Sequence, residues 1–345
     1  MNSLTYKNSG LDKINRVFLG ILSKKNRDIM ERRFGLFTKK PSQTLEEIGK
    51  AYGITRERVR QIEEASLKKI KKSEEFAKNQ RTILAIKNEI EKNGIIVAEE
   101  EFLKSFSPNE SEQNHLLFAL RLIDDVSYLR GDYKFKSCFT ANPALAGKIK
   151  EVLRDFGETL EKENAILNEK EILEKFNSFI KERINGIFSR NVLISWLTIT
   201  NFIGKSQFGE WGPSSSIFIS PRGSRDLAYL VLKKEQKPLH FHEVAKKIEK
   251  HFSKKAHPQT VHNELIKHPD FVLVGRGIYA LKDWGYRPGT VKEVIAGILK
   301  EKGPLTKEEI LKEVSKERFV KEGTILVNLQ NKSHFRRQDD HYHLV

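Results

Sequence analysis

Residues 44–72 read TLEEIGKAYGITRERVRQIEEASLKKIKK, and few backbones can satisfy that order of residues. Thr44 and Glu47 have the T-x-x-E spacing at which two side chains cap a helix start reciprocally, so a helix is predicted to open at Leu45. Leu45, Ile48 and Ala51 recur at helical spacing and are expected to face inward. Gly53 predicts a sharp stop, because glycine takes the positive φ of a tight turn at little cost. Ile54 is expected to plug the turn, and Thr55 to cap a second helix. In that helix Val59, Ile62 and Ser66 are placed inward. Arg56, Arg60 and Gln61 are then left on the outer face near the N-terminal end. This is the end of a helix-turn-helix that enters the major groove. There arginine can pair two-pronged with guanine, and glutamine with adenine.

The likeness extends upstream. Residues 22–72, from LSKKNRDIMERRFGL to the end of the second helix, resemble region 4 of the sigma-70 family of transcription initiation factors. The matching pieces are a helix ending in Arg33-Phe34-Gly35-Leu36, the TLEEIG opening and the TRERVRQIE segment. In that family the module binds the upstream promoter hexamer and the flap of the polymerase β subunit. The resemblance implies base contacts from Arg56, Glu57, Arg60 and Gln61, and phosphate contacts from Thr44, Thr55, Arg58 and Lys68. Nothing here resembles the family's aromatic-rich helical module, which melts promoter DNA and grips the polymerase. Only 21 residues precede the segment, so a regulator or accessory factor is expected rather than a self-sufficient initiation factor.

Charge supports a polyanionic partner. The chain of 345 residues carries a net +16. Residues 1–80 hold 19 basic against 10 acidic residues, residues 81–223 hold 19 against 20, and residues 224–345 hold 24 against 16. The two ends are candidate nucleic-acid surfaces, and the middle is a candidate scaffold. One cysteine, Cys138, excludes an intrachain disulfide and a cysteine-based zinc site. With no signal peptide and no apolar run of 18 residues, the expected place is a bacterial cytoplasm, at the nucleoid, with no membrane contact.

Beyond residue 80 one pattern recurs about every 65–75 residues: helix, apolar stretch, helix, helix, hairpin. The third helices are HLLFALRLI, NVLISWLTI, TVHNELIK and TILVNLQN. The hairpins are VSYLRGDYKFKS, FIGKSQFGEWGPSSSIFI, FVLVGRGIYAL and HFRRQDDHYHLV. The predicted fold is mainly α with small β wings, an N-terminal helix-turn-helix followed by tandem winged-helix domains. The boundaries run 1–21 (flexible), 22–80, 81–140, 141–223, 224–287 and 288–345. The stretch from Ala146 to Ile187 leaves a helical connector open as an alternative for 141–223. Residues 224–284 resemble the HARE-type winged helix, found also in the RNA polymerase delta subunit, through AYLVLKK, PLHFHEVAKKI, PQTVHNELIK and GRGIYALKDWG. That resemblance implies binding to DNA or polymerase and brings no catalytic residue with it.

Other clusters argue for little chemistry. Six histidines lie between His240 and His268, at spacings that match no standard metal-ligand set. The acidic runs Glu99-Glu100-Glu101, Asp124-Asp125 and Asp339-Asp340 would have to converge to hold catalytic metals, and neighbours in sequence point apart. No phosphate-binding loop, nucleophile elbow or H-E-x-x-H motif is present. The aromatic turn Ser206–Gly212 could stack on a base but is better read as a packed wing. Arg276, Arg336 and Arg337 lie in hairpins and are candidate wing contacts to DNA. The expectation is therefore a non-enzyme without cofactor or metal, binding promoter-like duplex DNA and RNA polymerase. The alternatives are a delta-like polymerase accessory factor with little sequence specificity, and a HARE-targeted nuclease-associated protein. Oligomeric state is left open.

Overall fold

Helix starts follow the capping residues along the N-terminal part of the chain. In a computed structural model that describes residues 10–38 and 41–345, four helices come first: α1 (Leu11–Gly20), α2 (Lys24–Phe34), α3 (Leu45–Tyr52) and α4 (Arg56–Lys71). Ser23, Thr44 and Thr55 cap α2, α3 and α4, each accepting a backbone N–H three residues on. The flexible start expected over 1–21 is corrected for its described part. Leu11, Phe18 and Leu19 recur on one face of α1 and are buried with Asn15. Residues 1–9 lie outside the described residues.

The rest of the chain repeats one order of elements four times. The first repeat is α5 (Glu74–Lys92), β1 (Ile96–Ala98), α6 (Glu99–Phe106), α7 (Glu110–Leu120), β2 (Ser127–Leu129) and β3 (Cys138–Thr140). The second is α8 (Pro143–Glu163), α9 (Glu169–Lys181), α10 (Arg190–Thr198), β4 (Ile203–Lys205) and β5 (Trp211–Pro213), with Leu167 bridging Trp211 where a first strand would lie. The third is α11 (Ser224–Glu235), β6 (Leu239–His240), α12 (Phe241–Phe252), α13 (Pro258–Lys267), β7 (Phe271–Gly275) and β8 (Ile278–Leu281). The fourth is α14 (Val291–Lys302), β9 (Leu305–Thr306), α15 (Lys307–Glu317), α16 (Glu322–Leu329), β10 (Phe335–Gln338) and β11 (His341–Leu344). In every complete sheet the last strand lies in the middle, antiparallel to both neighbours: β1-β3-β2, β6-β8-β7 and β9-β11-β10. This is a mostly helical, winged-helix-like architecture. The Ala146–Ile187 run breaks into α8 and α9 at Leu167 and is not a continuous connector.

Two compact units divide between Ser215 and Ser216. In the first, one core joins α1, α2 and α4 to the first repeat. It runs from Leu11 through Ile70 and Ile90 to Phe139. Alternation along the strands explains how this core adjoins the next. Val97 and Phe139 face it, while Ile96, Ala98 and Cys138 face a second core built on Phe156, Phe176 and Trp196. Burial pushes the Cys138 thiol up to about 11, so the cysteine is a neutral core residue. In the second unit the wing of the third repeat pairs with the chain entering α16. There the Phe319 N–H donates to Val274 O at 2.6 Å.

Candidate nucleic-acid interface

The helix-turn-helix is built by backbone geometry before any charge enters. Thr44 and Glu47 form a reciprocal capping box, with Thr44 N–H donating to Glu47 Oε2 at 2.7 Å and Glu47 N–H to Thr44 Oγ1 at 3.2 Å. Gly53 adopts φ 64°, and Ile54 N–H closes the turn onto Gly49 O at 3.0 Å. Gly49 is as necessary as Gly53, because a Cβ there would stand 2.7 Å from Ile54 O. Ile29, Ile48 and Val59 form the small core between α2, α3 and α4, with Leu45, Tyr52, Ile54 and Ile62 packed around it. One expectation is corrected here: Ala51 is exposed and Tyr52 takes the inward place. At 100° per residue, position 52 returns to the stripe of Leu45 and position 51 does not.

On α4 the inward residues are Val59, Glu63, Ser66, Leu67 and Ile70, all buried. Arg56, Glu57, Arg58, Arg60, Gln61 and Lys68 are all exposed. Glu57, Gln61 and Lys68 share one line along the helix, and Lys68 stands about 18 Å along the axis from Arg56. The polar groups at the front pair with one another. Arg60 reaches Glu57 at 2.7 Å and also pairs with Glu64, while Arg58 donates to Gln61 Oε1 at 3.0 Å. The hydrogen bond from Arg60 holds the Glu57 carboxyl below its ordinary range, and the two carboxylates raise the Arg60 guanidinium. Exposed pairs of this kind are screened by solvent and weak. Base edges or phosphates can therefore displace them. Thr55 Oγ1 accepts the Arg58 N–H at 3.2 Å, and Thr44 Oγ1 donates to Glu47, so both hydroxyls set helix starts.

Glu63 is the functional neighbour that sequence reasoning passed over. It is 4% exposed, on the hidden side of α4, and pairs with Arg33 of α2 at 3.1 Å and Arg121 after α7 at 3.5 Å. These two bonds tie the back of α4 to α2 and to the first repeat. Its signal was an acid at the inward spacing 59-63-66-70. Tyr52 of α3 donates to Asp28 of α2, which Arg32 of the same helix also holds, and so joins the two helices.

The remaining expected residues separate by position. Arg276 is exposed at the β7–β8 tip, between Gly275 and Gly277. Arg336 and Arg337 are exposed on β10, and Arg337 pairs with Asp340 in its own turn, where Asp339 and Asp340 take φ 46° and 63°. The acidic runs do not converge. Glu99, Glu100 and Glu101 bond respectively to Tyr128, Lys104 and Lys136, and Asp124 and Asp125 to Lys71 and Lys87. Trp211 is 3% exposed beside Leu167, so this ring of the aromatic turn cannot meet a base. Among the described residues no group of three or more His, Cys, Asp or Glu could hold a metal ion. No helix among them is long and apolar enough to cross a membrane.

Comparison with known proteins fits this geometry. The family model of sigma-70 region 4 matches residues 18–72. Two Helicobacter pylori strains each have an RNA polymerase sigma factor RpoD that is 42% identical over 65 residues, 19% of this chain and 10% or 9% of theirs. RNA polymerase sigma factor SigA of a Bacillus species is 43% identical over 53 residues, covering 15% of this chain and 14% of the relative. The chain thus spans about a tenth of the length of these relatives. Residues 18–72 are a sigma-70 region 4 helix-turn-helix, a DNA-binding module of RNA polymerase sigma factors.

Proposed function

We propose that the chain is a sequence-specific DNA-binding transcription regulator that reads promoter-like duplex DNA through α4 and acts with RNA polymerase. The observation that carries this reading is the outer face of α4. It presents Arg56, Glu57, Arg60 and Gln61 together at the N-terminal end, held by a capped turn and a buried inner face. Arginine and glutamine are the side chains suited to two-pronged pairing with guanine and adenine. Arg58, Lys68 and the Thr55 hydroxyl flank this patch and serve the phosphates, while the Thr44 proton is already held by Glu47. Affinity then falls with salt, with a slope in log units of about −0.9 per phosphate contacted. Residues 224–284 serve as a HARE-type winged helix. No catalytic step or cofactor is part of this reading, and its place is the bacterial cytoplasm at the nucleoid.

The test is selection of bound sequences from a random duplex library at near-physiological salt, beside the Arg56→Ala, Arg60→Ala double variant. The expected result is an enriched motif that the double variant loses, at about 1–3 kcal/mol per base contact removed. No enriched motif, with salt-sensitive binding to every duplex, contradicts sequence reading. The same module would then be a polymerase-docking surface, read out by capture of RNA polymerase.

A further inference from the structure

The four third helices, α7, α10, α13 and α16, occupy the same place in the repeat and face very different surroundings. From Gln113 to the end of α7 no residue is exposed, and in α10 only Arg190 and Asn191 are. On α16 the open positions are Glu322, Gly323, Thr324 and Val327. Glu322 sets an acid at its first turn, and unlike Glu57 of α4 it has no exposed arginine or amide beside it on the helix. The arginine that leads into it, Arg318, is 4% exposed and donates to the carbonyls of Arg287 and Gly289 at 2.6 and 3.0 Å.

α10 opens only at its first two residues, whereas α13 combines a face open along its length with amides that can read a base. Val261 and Leu265 point inward, while Gln259, Thr260, Asn263 and Lys267 are exposed. Glutamine and asparagine are the amides that pair two-pronged with adenine in the major groove. From Lys250 to Asn263 the sequence has no acidic residue, and Lys250, Lys254 and Lys255 are all exposed. The hairpin from Phe271 to Lys282 has none either, and Arg276 stands at its tip. That tip is fixed from two sides. Gly277 takes φ 70° with its missing Cβ 2.7 Å from His240 Nε2, and Gly275 packs where a Cβ would meet Phe319 O at 2.7 Å. Glu264, the one acid of α13, is half-buried at the border of that face, and the wing carries none, so a rigid wing beside a polar helix face is complementary to a groove and its phosphate rim.

We propose that α13 and the β7–β8 wing form a second duplex-DNA-reading surface, in addition to α4. Gln259 and Asn263 read base edges, and Lys254, Lys255 and Arg276 hold phosphates. The experiment is selection by the full chain from long random duplexes, in parallel with the Gln259→Ala, Asn263→Ala and the Arg56→Ala, Arg60→Ala double variants. The wild-type pool is expected to hold two sequence elements, of which each double variant loses a different one. Affinity of the α13 variant for the recovered two-element site should drop by roughly tenfold or more, the loss of at least one good base contact. All four side chains are exposed, so thermal melts should match the wild type. A pool with one element only, lost entirely in the Arg56→Ala, Arg60→Ala variant, overturns the proposal. So does an α13 variant that recovers the wild-type pool, including one that loses capture of RNA polymerase instead. Failure of the α4 reading looks different, because the Arg56→Ala, Arg60→Ala variant would then keep both elements.

Discussion

In the first two repeats the third helix is walled in, whereas in the last two it keeps an open face. α7 lies under α1 and α2: Asn15 Nδ2 donates to His115 O at 2.9 Å, and Phe34 meets Phe118 edge-on at 5.2 Å. α10 is closed by the first repeat, where Trp196 Nε1 donates to Gly94 O at 2.7 Å. Gly94 takes φ 101°, and a Cβ there would stand 2.6 Å from that same nitrogen. α13 and α16, by contrast, expose Ile266 (63%) and Val327 (66%). One order of helices and strands thus works as framework in one unit and offers surface in the other. What decides is whether a neighbour covers the third helix. Among the helices named here, α4 is where the first unit presents its cluster of outward arginines.

The sharpest way to break this comparison is to truncate one enclosed and one open third-helix residue. Trp196→Ala removes a fully buried ring and its hydrogen bond, and should cost about 3–5 kcal/mol in chemical denaturation of the full chain. Val327→Ala should stay within about 0.5 kcal/mol. Similar losses at both positions would erase the distinction. Next in size is Glu63→Ala, which leaves Arg33 and Arg121 without their shared carboxylate behind α4. A loss of about 1–3 kcal/mol is expected, at the lower end because both arginines are partly exposed. Thr55→Ala removes the cap of α4 and should cost about 1 kcal/mol, with weaker DNA binding at unchanged sequence preference. Binding assays on both variants, set against their stability, would separate support of α4 from contact with DNA.

The smallest expected effect is a pH response of the α1–α7 contact. Burial holds the His115 imidazole below its ordinary 6.5, and its Nδ1 lies 3.2 Å from Asn15 Nδ2, a contact that suits the neutral ring. The unfolded chain binds this proton more readily, so stability is full above about 6.5 and declines as pH falls through it toward the lower folded value. His115→Gln should flatten that decline in denaturation midpoints measured between neutral and mildly acid pH. An unchanged slope would remove His115 from the account.

Much of this was readable from residue order, and the unread part has a common cause. Caps, glycine turns and hairpin strands are local, so Thr44, Gly53, Thr55 and the Asp339-Asp340 turn were legible. Helical spacing also predicted Val59, Ile62 and Ser66 correctly. Ala51 went wrong because a three-residue step drifts off the stripe after two turns, whereas Tyr52 returns to it. Periodicity names the face that a helix turns toward its own repeat, but not what covers the other side. The run His115 to Leu120 is apolar nearly all round, the mark of a helix enclosed on every side. Read that way, it would have announced that α7 is not a DNA surface. Glu63 was hidden for the converse reason, since an acid on an inward stripe looks like an error until Arg33 and Arg121 arrive from distant parts of the chain.

The most direct test of the division between framework and surface is hydrogen exchange of the full chain with and without a selected duplex. The account predicts that α7 and α10 exchange slowly in both states and gain nothing, while DNA adds protection at the N-terminal turns of α4 and α13. New protection in α7 or α10, with α4 unchanged, would contradict it.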